Sequence, residues 1–288
     1  MTDYNRVEIP MYELDDDGAI LPNPIFHRAW DKLHSRTIEY PFAASQLGSA
    51  ERILDVGSVK GDLAWTSWLE SLPIDVHVTD YDADDDGVFK KSTFHQADIR
   101  HLEIEDNYFD KILAISVIEH IGMDAPQVID ENLPPTDNFG DAVAFKEMLR
   151  VLKPGGHIVM TFPYGIVDSP IDDSARTYTK ETIQRFNDLA EPIVLDYYEY
   201  QFNDFENIYI EYPKTKIPTI GERIGQKISG RSRPINTAKP KPAIPRQFGV
   251  VTWRRIPIKD TQATNVEGHI DGVLCGVWQK PLSVENES

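Results

Sequence analysis

The chain has 288 residues, of which 41% are hydrophobic and 26% charged. This is enough apolar material for one elaborated domain, and it excludes a globally disordered chain. The net charge of −18 argues against nucleic acid as the main partner, because proteins that bind phosphate backbones present a basic face.

The only cysteine is Cys275, which rules out a disulfide within the chain and favours a reducing setting. The N-terminus lacks a basic-then-apolar targeting pattern, and no run approaches the ~18 apolar residues of a spanning helix. The expected location is the cytoplasm, with peripheral contact to a membrane left open. The charge is uneven: residues 213–259 hold twelve Lys/Arg and one acid, Glu222. A solvated basic loop and a site for an anionic acceptor both fit such a stretch.

Residues 1–50 read as a helical preface, with Ile25, Trp30 and Leu33 at helical spacing after a proline-rich start. Short apolar runs follow at 52–56, 75–79, 93–97, 109–116 and 157–163 and read as strands. Helical patterns lie between them at 62–72 and 141–152, the second with Val143, Phe145, Met148, Leu149 and Leu152 on one stripe. Strands alternating with helices predict a parallel α/β sheet with right-handed crossovers. Residues 179–190 read as a further helix capped by Thr179, and 193–202 and 273–280 as two more strands. The Pro- and Lys/Arg-rich stretch between those strands reads as irregular.

Four segments carry chemistry. In ILDVGSVKG, a buried strand ends at Asp55 and breaks at Gly57, and a helix starts after Gly61. Glycine lets a ligand lie against bare backbone there, and the helix N-terminus favours an anionic group. Asp80 ends the second strand, where an acid accepts hydrogen bonds from ribose hydroxyls in dinucleotide folds. The third segment is HQAD, ending at Asp98 and followed by YFDKILAISVIEHIG; the fourth is LKPGGHIVMTFP, where Pro154, Gly155 and Gly156 turn a helix into a strand.

In this order and spacing the four segments resemble class I methyltransferases that use S-adenosylmethionine (SAM), strongly over about residues 50–165. The ISVIEHIG, LKPGG and FPYG variants are similar to those of glycan and secondary-metabolite methyltransferases. The resemblance implies a Rossmann-like α/β fold: a seven-stranded, mostly parallel sheet with helices on both faces and an antiparallel last strand. It implies SAM as cofactor and a small-molecule or glycan acceptor, methylated at oxygen. Asp55, Gly57 and Gly61 would surround the methionine part, Asp80 the ribose, and Asp98 with the Ile99 backbone the adenine. Ser116 would lie near the sulfonium and the methyl path, Glu119 and His120 would border the active site, and His120 is the candidate base. The family often has a glycine where this chain has Val59, which does not readily take positive φ.

His27 and His34 are weaker base candidates. Tyr164, Tyr178, Tyr197, Tyr198 and Tyr200 fit either an acceptor pocket or, in DYYEYQF, a plain strand. No Cys/His cluster has metal-ligand spacing, and Asp82–Asp86 resembles a calcium loop only in its acidity. The expected division is a cap at 1–50, a SAM-binding core at 51–202, a basic Pro-rich insertion at 203–272, and a last strand and tail at 273–288. A nicotinamide-dependent oxidoreductase is the alternative enzyme, disfavoured by the absent G-x-G-x-x-G spacing. A non-catalytic binding protein on the same fold is the third reading.

Overall fold

The computed structural model describes residues 35–84, 87–123, 136–168, 170–172, 175–200, 253–265 and 270–282. The preface positions Ile25, His27, Trp30, Leu33 and His34, the acids Asp85 and Asp86, and most of the basic stretch lie outside the described residues.

The framework is α1 (Arg36–Ser45), β1 (Arg52–Val56), α2 (Leu63–Ser71), β2 (Asp75–Asp80), β3 (Thr93–Gln96), β4 (Phe109–Ile115), α3 (Gly140–Val151) and β5 (Leu152–Pro163). A small hairpin of β6 (Pro170–Asp172) and β7 (Ala175–Arg176) follows, then α4 (Gln184–Asn187), β8 (Glu191–Tyr200), β9 (Trp253–Ile256) and β10 (Gly272–Gln279). The main sheet runs β3-β2-β1-β4-β5-β10-β8-β9. Its first five strands are parallel, and β10 enters antiparallel between β5 and β8.

The central strands are buried on both faces, which is why they appear in sequence as unbroken apolar runs. Side-chain alternation divides the interior into two cores. Ile53, Val78, Leu113, Ile115 and Val159 face α1 and α2 through Ile38, Phe42, Trp65 and Leu69. Leu54, Val56, Ile112, Ala114 and Met160 face α3 and α4 through Phe145, Met148 and Phe186. Helices therefore cover both faces, and the last strand is antiparallel, as the resemblance implies.

Four expectations change. The main sheet has eight strands rather than seven, because β9 emerges from the stretch read as insertion. Its four residues are too few to show a period. They are held by tertiary contacts: Trp253 is buried edge-on to Tyr200 with ring centroids 5.3 Å apart, and Arg255 pairs with Asp196 of β8. β5 begins at Leu152, and the ladder with β4 jumps between Phe109 and Lys111 so that the Pro-Gly-Gly turn bulges out of it. The helix expected over 179–190 is regular only over Gln184–Asn187. Around it, N–H groups of Gln184, Arg185, Phe186 and Leu189 bond three residues back, which tightens the winding. Finally, the helix expected in the preface includes α1, whose residues Thr37 to Ala44 are all buried, so this part is core rather than cap.

Candidate functional site

The strand order reverses between β1 and β4, and the loops beyond the carboxyl ends of these strands meet there. In open α/β sheets this switch point is where ligands bind. Gly57 ends β1 with φ +80°, and a Cβ there would lie 2.5 Å from Val117 Cγ2 beyond β4. Only glycine supplies both that conformation and that approach. Val59 does not take positive φ, as expected of a valine: Gly57 absorbs the turn, and the Val59 N–H is used as a donor.

Asp80 receives that donor. Its Oδ2 accepts the Val59 N–H at 2.9 Å and its Oδ1 accepts the Asp82 N–H at 3.0 Å, so the acid at the end of β2 fixes the glycine loop that follows the neighbouring β1. Burial raises its pKa, and these two bonds oppose the rise. Asp55 lies deeper. It accepts the Ser58 hydroxyl, and the Trp65 indole N–H at 3.2 Å, and burial pushes its carboxyl up to about 7. It holds the underside of the loop, and Gly61 closes the turn with its N–H on the Ser58 carbonyl at 2.9 Å.

Asp98 follows β3 in a bend. Its carboxylate is taken by Arg100, whose Nε reaches Oδ1 at 3.0 Å and whose Nη2 reaches Oδ2 at 2.6 Å. Ile99 beside it is buried. No periodicity marks this pairing, although an Asp two residues before an Arg permits it.

The β4 side is built differently. Ser116 sits at φ +45°, sparsely populated for a residue with a Cβ. Its N–H donates to the Thr161 carbonyl at 2.9 Å, and its hydroxyl donates to Glu39 Oε1 at 2.7 Å. Glu39, fully buried on α1, also accepts the Thr161 hydroxyl at 3.0 Å and pairs with Arg36. The neighbouring Tyr40 stacks on Trp65 at 4.8 Å and accepts the Asp62 N–H at 3.3 Å. Helix α1 thus ties the glycine-loop helix to the ends of β4 and β5. Glu39, Arg36, Tyr40 and Thr161 were absent from the sequence reading.

Glu119 and His120 occupy the single 3-10 turn after β4. Glu119 is 2% exposed, and burial raises its pKa. Its Oε2 is a buried oxygen with no hydrogen-bond partner among the described residues. His120 is half exposed and its Nε2 lies 3.9 Å from Glu119 Oε1. Under this turn, Asp141 of α3 is fully buried and accepts the Tyr178 hydroxyl at 2.8 Å and Arg185 Nη1 at 2.8 Å. Arg176 lies 3.0 Å from the same carboxylate and donates to the Ile121 carbonyl at 2.8 Å. Tyr164, Tyr178, Tyr197, Tyr198 and Tyr200 are all buried, in keeping with the plain-strand reading of DYYEYQF.

Residues 82–191 match the family model of a methyltransferase domain. Over those residues the chain is similar to methyltransferase domains, and its sheet has the Rossmann-like α/β arrangement. The chain shares its fold with the crystal structure of the cyclase SpnF, at 16% identity over 95% of this chain and 87% of that one, TM-score 0.51. An MccD protein is similar at 14% identity over 80% of this chain and 90% of that one, TM-score 0.46. A Burkholderia thailandensis 1,6-didemethyltoxoflavin N1-methyltransferase is similar at 11% identity over 84% and 77%, TM-score 0.45. No curated protein sequence matches the chain. The cofactor that this match implies is SAM. A glycine-bounded backbone loop, an acid ending β2 and an orphaned carboxylate oxygen on Glu119 lie along one line of strand ends. No helix among the described residues is long and apolar enough to cross a membrane. No metal-ligand cluster occurs among them either.

Proposed function

We propose that this methyltransferase methylates a hydroxyl oxygen of a small-molecule or glycan acceptor. The observation that carries the reading is the half-exposed imidazole of His120 at the mouth of the switch point, beside the buried Glu119 carboxylate. SAM supplies an activated methyl group on a sulfonium, so the protein has to align the acceptor, exclude water and take one proton. His120 takes the hydroxyl proton, since its half-exposed imidazole stands on the turn that follows β4. Ser116 is not the base: its hydroxyl is committed to Glu39.

The cofactor contacts follow the strand ends. Gly57 and Gly61 shape the loop for the methionine part, and Asp55 keeps it in place from below. Asp80 binds the ribose hydroxyls. Asp98, held by Arg100, and the Ile99 backbone take the adenine. Of the 203–272 insertion, β9 is part of the sheet. A buried Cys275 fits a reducing, cytoplasmic setting.

The test is a labelled-methyl transfer assay on neutral, anionic and amine-bearing acceptors, with mass spectrometry of the methylated atom. The reading expects an oxygen product and at least ~100-fold loss of turnover in His120→Ala. A nitrogen product, or full turnover in His120→Ala, would refute it.

A further inference from the structure

Glu119 carries a charge problem that the fold leaves unsolved. It is 2% exposed, and Oε2 has no hydrogen-bond partner among the described residues. A buried carboxylate left so costs several kcal/mol unless it is protonated or meets a cation. The charged and titratable groups around it come from four elements. Arg36 and Glu39 of α1 face it, but Arg36 is already paired with Glu39. His120 on its own turn stands 3.9 Å from Oε1, beyond hydrogen-bond reach. Tyr178, beyond β7, has its hydroxyl on Asp141 of α3 at 2.8 Å, and Asp141 is in turn neutralised by Arg185 and Arg176.

The position of this carboxylate matters. The two acids suited to a nucleoside, Asp80 and Asp98, follow β2 and β3 on one side of the switch point. Glu119 follows β4 on the other side, next to Val117, which touches the glycine loop. A nucleoside held at Asp80 and Asp98 therefore sends its substituent toward the Ser116–His120 turn. In SAM the group on that path bears a positive charge; in its product, S-adenosylhomocysteine, it is a neutral thioether.

We infer that Glu119 is a charge-reading residue: its unpartnered carboxylate oxygen is the counter-ion for the cofactor's sulfonium, and it makes the site prefer the charged methyl donor over the neutral product. This rests on the SAM-binding reading and deepens it. Product release follows from the same geometry, because removal of the methyl group removes the positive charge and returns Glu119 to an unpaired state. Burial raises the Glu119 pKa and a bound sulfonium lowers it again, so SAM binding releases more protons than S-adenosylhomocysteine binding.

Titration calorimetry with SAM and with S-adenosylhomocysteine, on wild type and Glu119→Gln, separates the possibilities. The expected result is at least about tenfold weaker SAM binding in Glu119→Gln, with less than about a threefold change for S-adenosylhomocysteine. Equal losses for both nucleotides, or an unchanged SAM affinity, overturn the inference while leaving the cofactor assignment standing. Failure of both nucleotides to bind the folded wild type overturns that assignment and the inference with it. Should Glu119→Gln not fold, calorimetry of the wild type in buffers of different ionisation enthalpy decides. Greater proton release with SAM than with S-adenosylhomocysteine supports the inference, and equal release overturns it.

Discussion

On the β1–β3 side of the crevice the carboxylates already have their partners. Asp55 holds Ser58 and Trp65, Asp80 holds two backbone N–H groups, and Asp98 holds Arg100. On the β4–β5 side, charge is brought in from a distant helix, and Glu119 keeps one oxygen unmatched. The first side is a preformed mould whose acids shape loops as much as they offer ligand contacts. The second side is a buried polar network built by α1, and its charge balance is completed only by what binds. Polar groups in such a network are costly when orphaned, so the β4–β5 side is where substitutions should hurt stability most.

The largest expected effect tests that claim. Glu39→Ala removes the acceptor shared by Ser116, Thr161 and Arg36, and it should cost about 3–5 kcal/mol in urea unfolding. A loss below about 1 kcal/mol would mean that α1 is a detachable cap and not a part of the core.

On the mould side, pH gives the next largest effect. The folded carboxyl of Asp55 lies at about 7, well above its ordinary 3.8. Its contribution to stability is therefore complete at low pH and is lost as pH rises through about 7. Asp55→Asn removes this loss, so between pH 5 and 8 the wild type should fall relative to the variant by about 2–3 kcal/mol. Parallel stability curves would show that Asp55 is charged within the fold.

Asp80→Ala should weaken SAM binding by more than about tenfold, through lost ribose contacts and a loosened Val59 N–H. An unchanged affinity would move the ribose elsewhere. The smallest effect concerns Val59. Because Gly57 takes the turn, Val59→Gly should change S-adenosylhomocysteine affinity by less than about threefold and cost about 0.5–1 kcal/mol in backbone entropy. A marked gain in affinity would show that the valine distorts the loop.

The parallel half of the sheet and the cofactor loop were legible in the chain itself. Strands buried on both faces are written as apolar runs, and a glycine at a positive-φ turn beside a close neighbour has no substitute, so β1 to β4, Gly57 and Asp80 lie where the sequence puts them. The remaining features depended on contacts between residues remote in the chain. Glu39 meets Ser116 across 77 positions and Thr161 across 122, and no periodicity encodes such meetings. β9 is four residues, and its strand state comes from pairing with β8. Asp98 looked like an open acceptor until Arg100 folded back onto it. The amino-acid sequence by itself determined which cofactor chemistry the chain carries, because backbone geometry and burial pattern are local. Tertiary structure alone decided which carboxylate was left without a partner, because burial and charge balance are properties of the assembled neighbourhood.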